Sequence, residues 1–386
     1  MKSKNLVYAY KYSKTRWGHF KKMGGSYNSA VLIIIILLGI LFSPVYWLIN
    51  YVLKIYVSKV KIADSVSFCF TANHITVMDK LKENSFQNVN IGIGESNFSN
   101  KLLLLFIFSS YNFFSNCFTI LRNRHLNFNA IKVFKTIALS NLFQMIFEKH
   151  TIKNIIQFND HGPLHFDLYR QAKLSNAKTF YIQHAPITKE FPPLYHDVNI
   201  LFSQDSLDKY RKENDRIEVI LNRDLRFPKQ LNILSKNPLK VVLCPNILDS
   251  KAEIITTYNN LINEGYEVLL RKHPADRRQF PQEFLLSYND SIWADFADAA
   301  YVVTNESAVT LEGLYSNCIC YKTCSWSDSI DGYGFMEKGL ILREIKTQGA
   351  LIDSIKQNLV LTDSSKLSYF IGDQNKEFYL NNLLSR

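Results

Sequence analysis

The pair His273-Pro274, directly after Arg271 and Lys272, is the most specific chemical signal in the sequence. Pro274 suits the first turn of a helix, where its missing amide costs no hydrogen bond. His273 would then lie beside the positive end of that helix, where a nucleotide phosphate is the natural anion. The alternative interpretation is an exposed histidine at a helix start on a basic surface.

A second cluster, Thr304 to Ser307, offers hydroxyl groups and backbone amides to the same kind of anion. Glu312 follows five residues after Ser307, and its carboxylate could accept hydrogen bonds from both hydroxyls of a ribose. The alternative is a helix-capping serine with a solvent-facing glutamate. The predicted donor-binding residues are Arg271, Lys272, His273, Pro274, Thr304, Asn305, Ser307 and Glu312.

An acidic residue stands before a glycine in the sequence Asn159-Asp160-His161-Gly162. A carboxylate at a strand end, before a residue that lets the backbone turn, is a suitable general base for an acceptor hydroxyl. Asp160 is therefore a candidate catalytic residue, although a helix cap at this position fits the same pattern. His161 and His165 would lie near the same helix start, either stabilising a phosphate or on the surface.

Two further strand ends carry polar residues, Gln183 and His184 after a strand at 178–182, and Ser203 after a strand at 198–202. Because the carboxyl ends of parallel strands lie at one edge of a sheet, we expect these residues to line a cleft between two domains. There they would bind the acceptor or the leaving phosphate. Polar turns without a ligand are the alternative.

From Lys240 to Thr323, the elements that must position these residues alternate between short apolar, β-branched runs and helix-like segments. The predicted helical segments are 251–263, Asp295–Ala300 and Ser307–Ser316. This alternation predicts β-α-β units on a parallel sheet, whose ligands bind beyond the carboxyl ends of the strands. The sequence predicts an α/β fold with two Rossmann-like domains and a hydrophobic membrane segment. The predicted divisions are a basic N-terminus with the membrane segment at 1–61, an acceptor domain at 62–235, a nucleotide-binding domain at 236–345 and a helical segment at 346–386.

The first 29 residues contain lysine and arginine but no acidic residue, and an uncharged apolar run follows at 30–53. This run is longer than the roughly 20 apolar residues that a spanning helix needs. Ser43-Pro44 near its middle removes a helical hydrogen bond, and Lys54 adds positive charge beyond it. We therefore predict a re-entrant segment in membrane lipids with both flanks in the cytosol, and a single span is the alternative.

Composition favours anionic partners. Hydrophobic residues make up 47% of the chain and charged residues 20%, which indicates packed domains, and the net charge is +11. The basic residues are widely spread and no zinc-finger or aromatic RNA-binding pattern occurs, so nucleic acid is not an expected partner. The spacing of the six cysteines indicates reduced, structural thiols, and we predict neither a metal nor a cofactor.

These motifs resemble those of glycosyltransferases with two Rossmann-like domains, the GT-B type. More narrowly, the chain is similar to bacterial sialyl- and Kdo-transferases and to CDP-glycerol glycerophosphotransferases of capsule and teichoic acid synthesis. The likeness rests on Asn159 to Gly162, on His273-Pro274, and on Thr304 to Ser307 with Glu312. It implies that Asp160 is the catalytic base and that His273 and Ser307 hold a cytidine nucleotide. Asn159 and His161 depart from the acidic-acidic-glycine motif of the sialyl enzymes, which leaves the base and the sugar open.

The resemblance implies an inverting, metal-independent transferase on the cytoplasmic face of a bacterial inner membrane. It would move a nucleotide-activated sugar, or a polyol phosphate, to a glycan or lipid-linked acceptor in capsule or lipopolysaccharide synthesis. Two other classes fit the same pattern. A sugar-nucleotide epimerase of the same fold would have no need of a membrane segment, and a non-enzymatic membrane-anchored scaffold would not bind nucleotides.

Overall fold

Two parallel β-sheets, one in each half of the chain, organise the computed structural model of the protein. The structure describes residues 64–68, 74, 77–78, 143–158, 163–189, 191, 193–212, 214–232, 234–274, 276–328 and 331–373, together with Leu37. Strands alternate with helices in both halves, so the predicted α/β class with two Rossmann-like units is confirmed. The boundaries between domains remain predictions.

The first sheet is built from the elements β1 Ser65–Phe68, β2 Asn154–Gln157, α1 Pro163–Leu174, β3 Lys178–Ile182, β4 Val198–Leu201, α2 Gln204–Lys209 and β5 Glu218–Leu221. Its described strands lie in the order β1-β2-β3-β4-β5, and all neighbouring pairs are parallel. Every residue of β2 and β4 is buried, as expected for parallel strands that are covered on both faces. The sequence pattern does not predict β5, which is short and partly exposed at the edge of the sheet.

The second sheet is built from the elements β6 Asn237–Cys244, α3 Lys251–Asn263, β7 Glu267–Leu270, α4 Ile292–Phe296, β8 Ala299–Thr304, α5 Val309–Tyr315 and β9 Ile319–Lys322. Its parallel strands lie in the order β7-β6-β8-β9. Val241 and Leu243 of β6 pack into one hydrophobic cluster, and Val242 and Cys244 pack into another, because side chains alternate along a strand. The strand order reverses between β6 and β8, which creates the crevice where α/β sheets bind ligands.

The end of the described chain connects the two halves. After α6 Gln348–Lys356, a 3₁₀ turn leads into α7 Leu367–Ile371, which packs against both α2 and α5. The backbone N–H of Asp224 donates to Ile371 O at 2.8 Å. Gly372 follows with a φ of 78°, and a Cβ there would lie 2.0 Å from Phe202 O, so only glycine fits at this contact with the first half.

Three features differ from the sequence predictions or lie outside what the structure describes. No helix begins at Pro274, and the segment predicted as helical from Asp295 to Ala300 instead ends α4 and begins β8. Within the described residues, no helix has the length and apolar character needed to cross a membrane. Except for Leu37, the apolar run at 30–53 lies outside those residues, so the membrane segment stays a prediction.

Gly313 in α5 provides a sharp test of the packing between α5 and the second sheet. A Cβ at this position would lie 2.6 Å from Cys320 Sγ and 3.4 Å from two atoms of Val302. We expect Gly313→Ala to lower the free energy of unfolding by about 1–3 kcal/mol, because a buried thiol must move. Denaturant titration of the full chain measures this loss.

Gly349 in α6 is the matched control, because it is exposed and a Cβ there would meet nothing within 4 Å. Gly349→Ala should raise the free energy of unfolding by roughly 0.5–1 kcal/mol, the usual gain from replacing a helical glycine. Adding Cys320→Ala to Gly313→Ala should recover most of the loss. Equal effects of the two glycine substitutions would show that contact with Cys320 does not limit this site.

Candidate functional site

The strands of the second sheet bring the predicted donor-binding residues to one edge, which we call the donor edge. The register pairs Cys244 with Thr304, and Thr304 with Lys322, so β6, β8 and β9 end side by side. Leu270 ends β7 beside Leu243 of β6. The segments 271–274 and 304–307, together with the loops that follow β6 and β9, therefore lie at the carboxyl edge, on both sides of the reversal in strand order.

Asp249 ties three of these loops together. Its Oδ1 accepts hydrogen bonds from Asn305 Nδ2 at 3.0 Å and from Ser327 Oγ at 2.9 Å, and its Oδ2 accepts one from Asn246 N at 2.6 Å. The carboxylate is almost fully buried. Asn305 is thus a structural crosslink at the base of the donor edge. Asn246 and Asp249 are also polar residues that follow a strand, β6. The sequence predictions nevertheless covered only the residues after β7 and β8 in this sheet.

Arg271 and Lys272 use their side-chain donors within the protein. Arg271 donates to the buried carboxylate of Asp295 and to Ser287 Oγ at 3.2 Å. Lys272 Nζ donates to Arg278 O at 2.5 Å. Both residues therefore hold the loop after β7 in place, and a phosphate would have to compete with these bonds.

His273 lies exposed at the end of β7, and no helix follows it. The N–H of Asp276 donates to His273 O at 2.8 Å and closes a turn instead. The expected helix start at Pro274 is wrong because Arg278 pairs with Asp276 and donates to Asn246 O at 2.8 Å, which draws the segment onto the loop after β6. Partial desolvation lowers the pKa of His273, and the Asp276 carboxylate partly offsets this effect. A phosphate here would be bound by the imidazole rather than by a helix end.

The cluster at the end of β8 has one partly exposed hydroxyl. Thr304 is buried, and its Oγ1 donates to Asn305 O at 3.0 Å. Ser307 is partly exposed, and its Oγ accepts from Val309 N at 3.3 Å where α5 begins. Ser307 is therefore the hydroxyl of this cluster that a ligand could reach.

Glu312 of α5 lies beside Arg226, which belongs to the segment between β5 and β6. Its Oε1 is 3.6 Å from Arg226 Nη1, and Arg226 also pairs with Asp224. Glu312 Oε2 is buried and accepts no hydrogen bond from the described residues. Burial raises the pKa of Glu312 to about 7, although Arg226 acts in the opposite direction. The alternative interpretation of Glu312 as a solvent-facing residue is therefore wrong, because the side chain is buried.

The carboxylate of Glu306, at the donor edge, belongs to a partly buried ion pair. Lys322 Nζ donates to Glu306 Oε2 at 3.0 Å, and Tyr333 N donates to Glu306 Oε1 at 2.9 Å. Burial raises the pKa of Glu306, although Tyr333 N and Lys322 act in the opposite direction. The sequence signal for this pair is a lysine that closes the apolar run of β9, but its partner becomes evident only in three dimensions.

In the first half, the side chains of Gln183 and Ser203 form hydrogen bonds within the protein and stabilise the fold. Gln183 Nε2 donates to Ser206 Oγ at 2.8 Å and to Ala185 O at 2.9 Å, and Gln183 Oε1 accepts from Phe202 N at 3.1 Å. Ser203 is the N-cap of α2, where its Oγ accepts from Ser206 N at 3.1 Å. Both residues are buried and fix the carboxyl ends of β3 and β4.

Histidines from three successive chain segments meet at the carboxyl edge of the first sheet. The ring centroids of His74 and His184 are 4.5 Å apart, and those of His74 and His165 are 6.4 Å apart. His74 also stacks on Phe158, just beyond β2. Polar strand ends predict His165 and His184 near this edge but not His74, because His74 is distant from them along the chain.

Asp160 and His161 lie outside the described residues, so their assignment as base and cleft residue stays a prediction. Phe158, two residues before Asp160, contacts His74 and so places the start of this segment at the histidine cluster. Among the residues that the structure describes, no group of three or more histidine, cysteine, aspartate or glutamate side chains could hold a metal ion.

Comparisons with known proteins identify the fold. No family model and no curated protein sequence matches the chain. A UDP-N-acetylglucosamine 2-epimerase structure matches 82% of this chain and 93% of its own, with a TM-score of 0.51 at 13% identity. The UDP-GlcNAc 2-epimerase from Neisseria meningitidis bound to UDP-GlcNAc matches 83% of this chain and 100% of its own, with a TM-score of 0.50 at 10% identity.

The wall teichoic acid polymerase TagF matches 93% of this chain and 98% of the TagF chain, with a TM-score of 0.49 at 11% identity. At such identities, the two epimerase structures show a common fold and nothing about the reaction. The order of strands in the two parallel sheets and the two epimerase structures indicate the same architecture. The chain therefore has the GT-B fold of two Rossmann-like domains.

Proposed function

We propose that the protein is a glycosyltransferase that moves a sugar, or a polyol phosphate, from a cytidine-type nucleotide donor to a surface glycan or lipid-linked acceptor. The supporting observation is the donor edge, where exposed His273 and partly exposed Ser307 lie beyond the strand ends, with buried Glu312 in the helix that follows Ser307. Imidazole and hydroxyl groups suit a phosphate, and a carboxylate oxygen suits a ribose hydroxyl.

The donor half would act by stabilising the leaving group. The lowered pKa of His273 keeps the imidazole neutral near pH 7, with one N–H that can donate to a phosphate oxygen. A bound phosphate raises that pKa, because a nearby negative charge favours the imidazolium. His273 would thus take up a proton from solvent when the phosphate binds, and its positive charge would stabilise the negative charge that develops on the departing nucleotide.

The acceptor half would activate the attacking hydroxyl. Asp160 takes the proton while the acceptor oxygen forms a bond to the anomeric carbon of the sugar. The bond from that carbon to the phosphate oxygen breaks at the same time, and its electron pair leaves with the nucleotide. Direct attack of this kind inverts the anomeric centre. The histidine cluster of His74, His165 and His184 lies at the same edge of the first sheet and would orient the acceptor.

The apolar run at 30–53 and its basic flanks would keep both halves on the cytoplasmic face of a bacterial inner membrane, beside lipid-linked acceptors. This topology puts the donor edge in the compartment that supplies activated sugars. Cysteine labels placed before Ala30 and after Lys61 would test it, because labels on opposite faces of the membrane would reject the re-entrant arrangement.

The full chain in detergent, supplied with a panel of cytidine- and uridine-activated sugars and membrane-extracted acceptor, tests the proposed activity. We expect one cytidine donor to release nucleotide only when acceptor is present, and we expect Asp160→Asn to abolish this release. Isomerisation of the donor sugar without acceptor would instead identify an epimerase. Absence of any thermal shift with cytidine or uridine nucleotides would favour the scaffold.

A further inference from the structure

The main chain of Tyr333 is held from both halves of the protein. Its N–H donates to Glu306 Oε1 at 2.9 Å, at the donor edge of the second sheet. Its carbonyl oxygen accepts from Lys209 Nζ at 2.7 Å, at the end of α2 beside the first sheet. The main chain of Tyr333 thus bonds to the Glu306 carboxylate of one half and to the Lys209 ammonium group of the other.

Each end of this connection is an ion pair whose lysine is buried. Lys209 and Asp205 are 2.5 Å apart, and each side chain is only 3% exposed. Lys322 and Glu306 form the pair at the other end, where the lysine side chain is 1% exposed and the glutamate side chain 21% exposed. Buried charges are costly to desolvate, and the Tyr333 main chain gives each pair one further hydrogen bond, from Lys209 Nζ to its carbonyl oxygen and from its N–H to Glu306 Oε1.

We propose that Lys209 is a positioning residue for the donor edge, and that it acts through Tyr333 on Glu306 and the strand ends of β8 and β9. This inference rests on the proposed function, because it assigns Lys209 of the acceptor half a part in donor binding. Glu306 stands between Asn305 and Ser307, so a shift of the Tyr333 segment moves the residues that would contact the nucleotide. The Lys209 hydrogen bond therefore couples the relative position of the halves to donor affinity.

The side chain of Tyr333 supports the same coupling. Burial, with the carboxylates of Glu306 and Glu312, raises the pKa of its phenol, while Arg226 lowers it, so the ring lies within electrostatic reach of both carboxylates. The ring also stacks on Phe335, with a centroid distance of 5.3 Å, and Phe335 contacts Phe370 of α7. Displacement of this segment would alter the surroundings of Glu306 and Glu312 together.

The test compares two ion pairs, the buried Asp205–Lys209 pair, whose lysine contacts Tyr333 O, and a surface pair that also joins the halves. Asp205→Asn with Lys209→Met removes the buried pair and leaves neither charge alone. Lys189→Met with Glu337→Gln removes the other ion pair, which is 2.5 Å long but surface-exposed. Amide hydrogen exchange on the full chain, without nucleotide, and titration with CMP and UMP are measured for wild type and both double variants.

We expect the first double variant to accelerate exchange at Glu306 and Tyr333 by about tenfold, with strands β2 and β3 unchanged, and to weaken nucleotide affinity by about tenfold. The surface variant should match wild type in both measurements. Unchanged exchange at 304–307, or equal acceleration throughout both sheets, would overturn the inference. If wild type binds neither nucleotide, the proposed function fails, while the exchange comparison still decides the role of Lys209.

A second variant covers the case in which loss of the buried pair prevents folding. Asp205→Asn with Lys209→Gln keeps polar groups in the same space but shortens the reach to Tyr333 O. It should show the same selective acceleration at Glu306 and Tyr333. If amide hydrogen exchange at Glu306 and Tyr333 is as slow in this variant as in wild type, the inference is rejected.

Discussion

His273→Ala should reduce acceptor-dependent nucleotide release by about a hundredfold to a thousandfold, the loss expected when a group that stabilises developing charge is removed. The imidazole is exposed at the carboxyl end of β7, so the substitution should leave no cavity and change the free energy of unfolding by less than about 0.5 kcal/mol. Steady-state kinetics with the cytidine donor identified by the panel, together with thermal unfolding, measure both quantities.

The surrounding loop makes a specific control available. Gln279 is exposed in the loop that follows His273, and Gln279→Ala should retain wild-type turnover. His273→Gln keeps a hydrogen-bond donor without the capacity to become charged, so it should recover only part of the lost rate. Turnover of His273→Ala within a factor of about two of wild type would remove His273 from the catalytic site.

Local patterns were sufficient to predict that 271–274 and 304–307 follow strands of the second sheet at its carboxyl edge. The helix at 251–263 is predicted to its ends, because Ser250 caps it and apolar residues recur on one face. The strand ends before His273 and Ser307 follow from apolar runs that stop at polar residues. The edge strand β5 escapes detection because it is short and only half covered.

What sequence alone does not provide is the use that the fold makes of each polar side chain. Arg271, next to His273, suggests a phosphate ligand, but its guanidinium pairs with Asp295, a partner distant in sequence. Pro274 favours a helix start, but the contacts of Arg278 with the loop after β6 prevail over that local preference. Lys209 and Tyr333 carry no motif at all. Partners of this kind are set by tertiary contacts, which no local pattern records.

Glu312 should make the stability of the protein depend on pH. Its pKa in the folded state is raised from 4.5 to about 7 by burial, so the folded protein binds this proton more tightly than the unfolded chain does. The contribution of this residue to stability is therefore greatest below about pH 4.5 and is lost as the pH rises through 7, and it totals about 3 kcal/mol. Above pH 7 the folded protein carries a buried carboxylate that Arg226 only partly compensates.

Glu312→Gln, which keeps the shape and removes the charge, should abolish that dependence. At pH 4.5 the variant should unfold at nearly the same denaturant concentration as wild type, and at pH 8 it should be more stable by about 2–3 kcal/mol. Glu283→Gln, at an exposed glutamate, should differ from wild type by less than about 0.5 kcal/mol at either pH.

The same Glu312→Gln protein should bind cytidine nucleotides about tenfold more weakly, because a ribose hydroxyl donates more strongly to a carboxylate than to an amide. Parallel stability curves for wild type and Glu312→Gln between pH 4.5 and 8 would show that this carboxyl titrates normally, and unchanged nucleotide affinity would remove it from the donor site.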